Sequence, residues 1–183
     1  MNMKQQRMLL EGTLHIQQAK PEQTEAIQQL LVDTAKWFKE KGSTQWNGLL
    51  EGIDSHNTPE AIKRGDVYVV QAQDNETLLG MVMLLQKPSE WDQDLWQIDE
   101  PEEDKSVYLH RLAVNRRIAT NKGLGHAILK WCQANYQFGT HENLRLDCVA
   151  DNTFLNQFYT NNGFQYKGQH EGYSLYEYRD EKH

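Results

Sequence analysis

The run from 106 to 150 limits the fold of this chain more than any other part. It reads SVYLHRLAV, a loop NRRIATNK, a helical pattern opened by Gly123 and Gly125, and then LRLDCVA. Two β-rich runs separated by one helix predict a strand-helix-strand unit whose strands are parallel and whose crossover is right-handed. The expectation is therefore a sheet with helices on its faces.

The elements on either side extend that sheet. Residues 1–11 read as a loose tail, followed by a short strand at 13–18. Pro21 marks a helix start, and Ala26, Ile27, Leu30, Leu31, Thr34, Ala35 and Phe38 recur at helical spacing until Gly42. The glycine-broken stretch 43–65 predicts a bent helical region ending in a short helix at 59–64, and the runs 67–73 and 78–86 predict a hairpin around Asp74 and Asn75. Residues 88–104 carry eight acidic side chains, no basic one and two tryptophans, a composition read as a long loop. A helix from Gly123 to about Phe138 follows the strand at 106–114. After the strand at 144–150 come a helix at 152–162 and strands at 164–167 and 173–178. The predicted fold class is α/β (α+β): a mixed, mostly antiparallel central sheet of six to seven strands, flanked by helices on both faces. Residues 12–183 are expected to form one domain.

Composition narrows the function. A formal net charge of −7 argues against nucleic acid, whose binding depends on Lys and Arg neutralising phosphates, and suits a cationic small molecule better. The apolar island Met8-Leu9-Leu10 is too short for a signal-peptide core or a membrane span, so no membrane partner is expected and the cytoplasm is the default location. Cys132 and Cys148 lie in apolar runs and read as buried thiols. His15, His56, His126, His141, His170 and His183 show no metal-ligand spacing, and no metal site is predicted.

The turn TNKGLGHAIL at 120–129 has the character of a phosphate-binding turn. A dinucleotide fingerprint would need a third Gly or Ala where Ile128 stands, and no Gly-x4-Gly-Lys-Ser/Thr string occurs. Two readings remain open: glycines that merely let a helix start near its strand, or backbone N–H groups at a helix N-terminus that cradle a pyrophosphate.

The strand ending Leu112-Ala113-Val114, the turn Lys122-Gly123-Leu124-Gly125, and the later Asn152-x6-Tyr159-x3-Gly163-Phe164 together resemble the GNAT family of N-acetyltransferases. The order of elements matches from 13 to 178, and the specific motifs lie between 107 and 164. The resemblance implies an acetyl-CoA-dependent N-acetyltransferase, with CoA as product. An amine of a small molecule or peptide would attack directly in a ternary complex. A CoA-binding sensor or partner module without turnover is the alternative, motivated by Thr120, which stands where relatives carry Arg or Gln. Relatives are often homodimers.

Residue roles follow from the same resemblance. Acyl transfer must strip a proton from an amine of pKa about 10.4, a cost of roughly 4 kcal/mol at neutral pH unless a base takes it. LHRLAV is similar to the strand of arylalkylamine N-acetyltransferases, in which the positions matching His110 and Tyr108 are linked to proton removal. His110 is the expected base, and by two-residue alternation it shares a face with Tyr108, Leu112 and Val114. Tyr159 matches the general acid that protonates the departing thiolate. The implied cofactor residues are Leu112, Ala113 and Val114 along the pantetheine arm, and Thr120, Asn121, Lys122, Gly123, Leu124, Gly125 and His126 at the pyrophosphate. Asn152, a helix cap, and Tyr159 complete that set. Arg116, Arg117 and Lys122 are candidate cations for the phosphates. Gln45, Trp46 and Trp91 are the candidate acceptor contacts.

Overall fold

The computed structural model describes residues 8–10, 14–72, 77–118 and 123–181, with no side-chain description for 8–10 and Leu14. In chain order the elements are β1 (Met8–Leu10), β2 (Leu14–Gln18), α1 (Thr24–Glu40), α2 (Thr58–Arg64), β3 (Val67–Ala72) and β4 (Leu78–Leu85). There follow α3 (Glu90–Leu95), β5 (Ser106–Val114), α4 (Leu124–Asn135), β6 (Asn143–Val149), α5 (Thr153–Asn161), β7 (Gln165–His170) and β8 (Tyr173–Tyr178). The strands form one sheet in the order β1-β2-β3-β4-β5-β6-β8-β7. The pairs β1–β2, β2–β3, β3–β4, β6–β8 and β7–β8 are antiparallel, and β5–β6 is parallel, as the strand-helix-strand run requires.

Two compact units share the chain. The first holds residues up to Met83 together with Arg111–Trp131; the second holds Leu84–His110 and Cys132–His183. The division passes through β4, β5 and α4 rather than through a linker.

In the first unit α1 buries Ile27, Leu30, Leu31, Thr34, Ala35 and Phe38, the i, i+3, i+4 stripe legible in the sequence, while Ala26 is exposed. Burying a Leu or Phe side chain in such a stripe contributes about 1.5–3 kcal/mol. Phe38 meets the edge of Trp46 with ring centroids 5.4 Å apart, within the range that aromatic pairs favour. α4 begins against β4 at Gly80. A Cβ there would lie 2.9 Å from Ile128 Cδ1 and 3.0 Å from the Ala113 carbonyl oxygen, so only glycine allows this close packing.

In the second unit β6 alternates cleanly. Leu144, Leu146 and Cys148 are buried, and Arg145 and Asp147 occupy the opposite positions. α5 packs through Tyr159, whose ring centroid lies 5.8 Å from Phe164 and 6.0 Å from Tyr176.

Two expectations are corrected. Part of the presumed tail is a strand, because Met8–Leu10 pairs antiparallel with β2. The acidic stretch 88–104 is not an irregular loop either. Ser89 caps α3 in a capping box with Asp92, and a 3-10 turn covers Pro101–Glu103. The excess of negative charge hid a short capped helix.

Candidate active site

The second unit assembles a cluster that no linear motif announces. His110 Nε2, on β5, lies 2.9 Å from Asp92 Oδ1 and 3.1 Å from Oδ2, within hydrogen-bonding distance of a carboxylate supplied by α3. The Ser89 backbone N–H and hydroxyl both donate to Asp92 Oδ2, at 3.0 and 2.8 Å. Asp92 is 0% exposed, and these donors satisfy a buried charge that would otherwise be costly. A carboxylate can only accept, so Nε2 is the donor and the neutral ring carries its lone pair on Nδ1. His110 itself is 8% exposed.

A second carboxylate joins this pair. Ligand atoms of Asp92, His110 and Asp147 all lie within 4.8 Å of one another. Asp147 comes from β6, whose parallel ladder with β5 runs only from Ser106–Tyr108 to Asn143–Arg145. His110 and Asp147 both lie beyond the last β5–β6 pair, Tyr108 with Arg145, and Asp147 pairs on its other side with Leu175 of β8. The Trp91 indole N–H donates to both Asp147 oxygens at 3.3 Å, and the Trp91 ring meets the edge of Tyr173 at 4.8 Å.

One imidazole and two carboxylates are also a donor set that a divalent ion accepts. The expectation of no metal site was drawn from spacing along the chain, which does not register three ligands on three separate elements. The short His110–Asp92 contact is accounted for by direct hydrogen bonding.

Tyr159 belongs to the same unit and is 6% exposed. Burial is the main cause that holds its phenol above the ordinary range, followed by the nearby Cys148, Asp147 and Cys132. The proton therefore stays on the phenol throughout the neutral range. Burial also pushes the Cys148 thiol up to about 12, with the Asp147 charge as the second cause, and raises Cys132, so neither cysteine is a ready nucleophile.

Tyr108 does not join His110. Its hydroxyl donates to Asp104 Oδ2 at 2.8 Å and accepts from Arg145 Nη1 at 3.1 Å, while Arg145 also pairs with Glu177 at 2.9 Å and lies over Trp96 at 4.3 Å. Burial is the main cause that raises its pKa. These bonds tie Tyr108 into a charge network and work against a role as base. The shared-face expectation also fails beyond His110, because Arg111 has φ 56° and breaks the two-residue alternation before Leu112 and Val114.

The first unit carries the backbone part. Ala113 is buried, and Leu112 and Val114 are partly so. Asn115 then closes the strand, with its N–H donating to the Leu79 carbonyl at 2.8 Å and its side-chain amide to Leu78 at 3.0 Å. Thr120, Asn121 and Lys122 lie outside the described residues. Gly123 has φ 79° with open space where a Cβ would project, and Leu124, Gly125 and His126 form the first turn of α4. Arg117 pairs with Asp33 at 3.2 Å, and Arg116 stacks on Trp37 at 3.7 Å, beside a cavity of about 260 Å³ lined also by Leu30, Lys36 and Val114. Both arginines are thus engaged within the unit.

Of the acceptor candidates, Gln45 is buried, and Trp46, at φ 58°, packs on Phe38 with the Arg111 guanidinium 5.2 Å above its ring. Trp91 alone joins the His110 cluster. Asn152 caps α5 by accepting from the Leu155 N–H at 3.1 Å, as its position suggested. Asp92, Asp147 and Tyr173 were missed. The available signals were the Ser89-x-x-Asp92 box and a charged residue in the middle of LRLDCVA.

Residues 25–164 match the model of the Acetyltransferase (GNAT) family. The chain is 46% identical over 157 residues to the uncharacterized N-acetyltransferase YesJ of Bacillus subtilis (strain 168), covering 85% of this chain and 84% of that protein. A crystal structure of a GNAT-family acetyltransferase from Listeria monocytogenes 4b F2365 superposes with a TM-score of 0.73 at 34% identity, over 96% of this chain and 100% of that one. PaiA N-acetyltransferase from Thermoplasma acidophilum, solved in complex with coenzyme A, gives a TM-score of 0.69 at 17% identity over 92% and 99% of the two chains.

Proposed function

The chain belongs to the GNAT acetyltransferase family and is an N-acetyltransferase, and from that premise we propose that it moves the acetyl group of acetyl-CoA directly to an amine, with His110 as base and Tyr159 as acid. Acetyl-CoA supplies an acyl carbon activated as a thioester. The N–H groups at the start of α4 and the backbone of Leu112–Val114 fit such a ligand, because a helix N-terminus entered through an open left-handed glycine presents donors to phosphate oxygens. Thr120, Asn121, Lys122 and Asn152 belong to this binding proposal, and the coenzyme A complex of the PaiA relative supports it by analogy.

The observation that carries the chemistry is the Asp92-held His110. Asp92 fixes the tautomer and stabilises the imidazolium that forms when Nδ1, directly or through a water, accepts the amine proton. Tyr159, kept protonated by burial, donates to the thiolate as it leaves. The acceptor is an amine of a small molecule or peptide, with Trp91 on the acceptor side. Gln45 and Trp46 remain acceptor candidates for the first unit.

Thiol release from acetyl-CoA across polyamines, arylalkylamines, aminoglycosides and peptide N-termini tests this reading. Release with one of these classes, abolished in His110→Ala, is expected. Tighter binding of NAD than of CoA, or CoA binding with no release across the whole screen, would contradict it.

A further inference from the structure

Resting on that reading, we infer that Asp147 is the anchor for the acceptor, binding it as a protonated primary amine with no anionic group beside the reacting nitrogen. Two carboxylates surround one imidazole within 4.8 Å, so the cluster of Asp92, His110 and Asp147 is net negative even when His110 is protonated. The two carboxylates are not equivalent. Asp92 is fully buried and saturated by Ser89 and His110, whereas Asp147 is partly exposed and receives 3.3 Å bonds from Trp91.

The surroundings complete a site for an organic cation. Trp91 is 39% exposed and stands edge-on to Tyr173, giving an aromatic wall against Asp147. The negative charge of Asp147 reaches both Tyr173 and Tyr159, where it is among the causes that keep each phenol protonated. An ammonium held on Asp147 is in the same cluster as His110, and since Nε2 is engaged with Asp92 the proton passes to Nδ1, directly or through a water. No group leaves and no electron pair is lost in this step: an N–H bond of the ammonium breaks, an N–H bond to imidazole forms, and the amine lone pair is released for attack.

The same geometry sets specificity. An α-amino acid would bring its own carboxylate toward Asp147 and Asp92, and like charges at this separation disfavour it. Aliphatic and arylalkyl amines carry no such penalty. Asp147 is therefore a selector for charge as well as a binding residue.

The test uses 2-phenylethylamine and glycine as probes, with calorimetric binding to the CoA-loaded protein and thiol release from acetyl-CoA measured in parallel. Asp147→Asn is expected to weaken 2-phenylethylamine binding and raise its KM by about tenfold or more, as loss of a charge-assisted hydrogen bond does. The KM for acetyl-CoA should stay within about twofold, since the cradle is built from other residues. Discrimination against glycine should shrink in the same variant, and Asp147→Glu should recover part of the affinity. Trp91→Phe, which keeps a ring and removes the indole N–H, gives a second readout if Asp147→Asn is poorly folded; it should alter amine affinity and leave acetyl-CoA affinity intact. Weakened amine binding in a protein that releases no thiol would leave the anchor standing and overturn the acetyl-transfer reading. Unchanged amine binding and KM in Asp147→Asn, or wild-type protein that binds neither probe, would overturn the anchor.

Discussion

The turn leading into α4 and the cluster around His110 present their chemistry in opposite ways. The first offers backbone N–H groups at a helix start, so the identity of most side chains there matters little so long as Gly123 can hold φ 79°. The second depends on side chains from α3, β5 and β6 joined by hydrogen bonds of 2.8–3.3 Å. A backbone site degrades gradually under substitution. A side-chain site loses its function at single positions.

That contrast can be broken or sharpened by substitution. The largest effect is expected from His110→Ala, which should lower kcat at neutral pH by about 10²–10⁴-fold with little change in the KM for acetyl-CoA. Steady-state kinetics with both substrates varied would measure it, and an increase in that KM with kcat intact would move His110 from the chemistry to binding. Asp92→Asn comes next: it keeps the shape but replaces one acceptor oxygen by an amide NH2 that faces the Ser89 and His110 donors, so kcat should fall about 10–100-fold. Fold stability should also drop by about 1–3 kcal/mol, read by denaturant titration.

A smaller change belongs to the backbone site. Gly123→Ala forces a Cβ into a left-handed conformation at a cost of about 1–2 kcal/mol. Acetyl-CoA binding should weaken about fivefold to thirtyfold, and kcat at saturation should hold. A fall in kcat equal to that of His110→Ala would erase the distinction between the two regions.

The smallest effect is alkaline. Burial is the main cause that raises the phenols of Tyr108 and Tyr159 in the folded chain. The unfolded chain loses these protons near the ordinary value of about 10 while the folded chain keeps them, so stability should fall as pH rises past about 10. Thermal unfolding of Tyr108→Phe and Tyr159→Phe should show a shallower fall than wild type. Tyr108→Phe should also leave kcat near the wild-type value, because its hydroxyl is committed to Asp104 and Arg145.

What could be read from the sequence divides along the same line. The α1 stripe, the hairpin of β3 and β4, the parallel β5–β6 unit and the Asn152 cap are all set by neighbours within a few residues, or by connection length, and all were legible. The His110 partners were not. Asp92 lies 18 residues before His110, in a segment whose acidity read as solvation, and Asp147 lies on a strand that meets β5 only through tertiary pairing. The positive φ of Arg111 was equally invisible, since nothing in LHRLAV marks the residue at which alternation breaks.

The pH dependence of amine acetylation in His110→Ala against wild type tests the proton-transfer role most directly. Wild type should lose kcat/KM toward acid along a limb set by protonation of the His110 base. The variant should lose that limb, and its low rate should rise steadily with pH as hydroxide and solvent replace the imidazole. An identical limb at an undiminished rate in His110→Ala would contradict the assignment of His110 as the group that takes the proton.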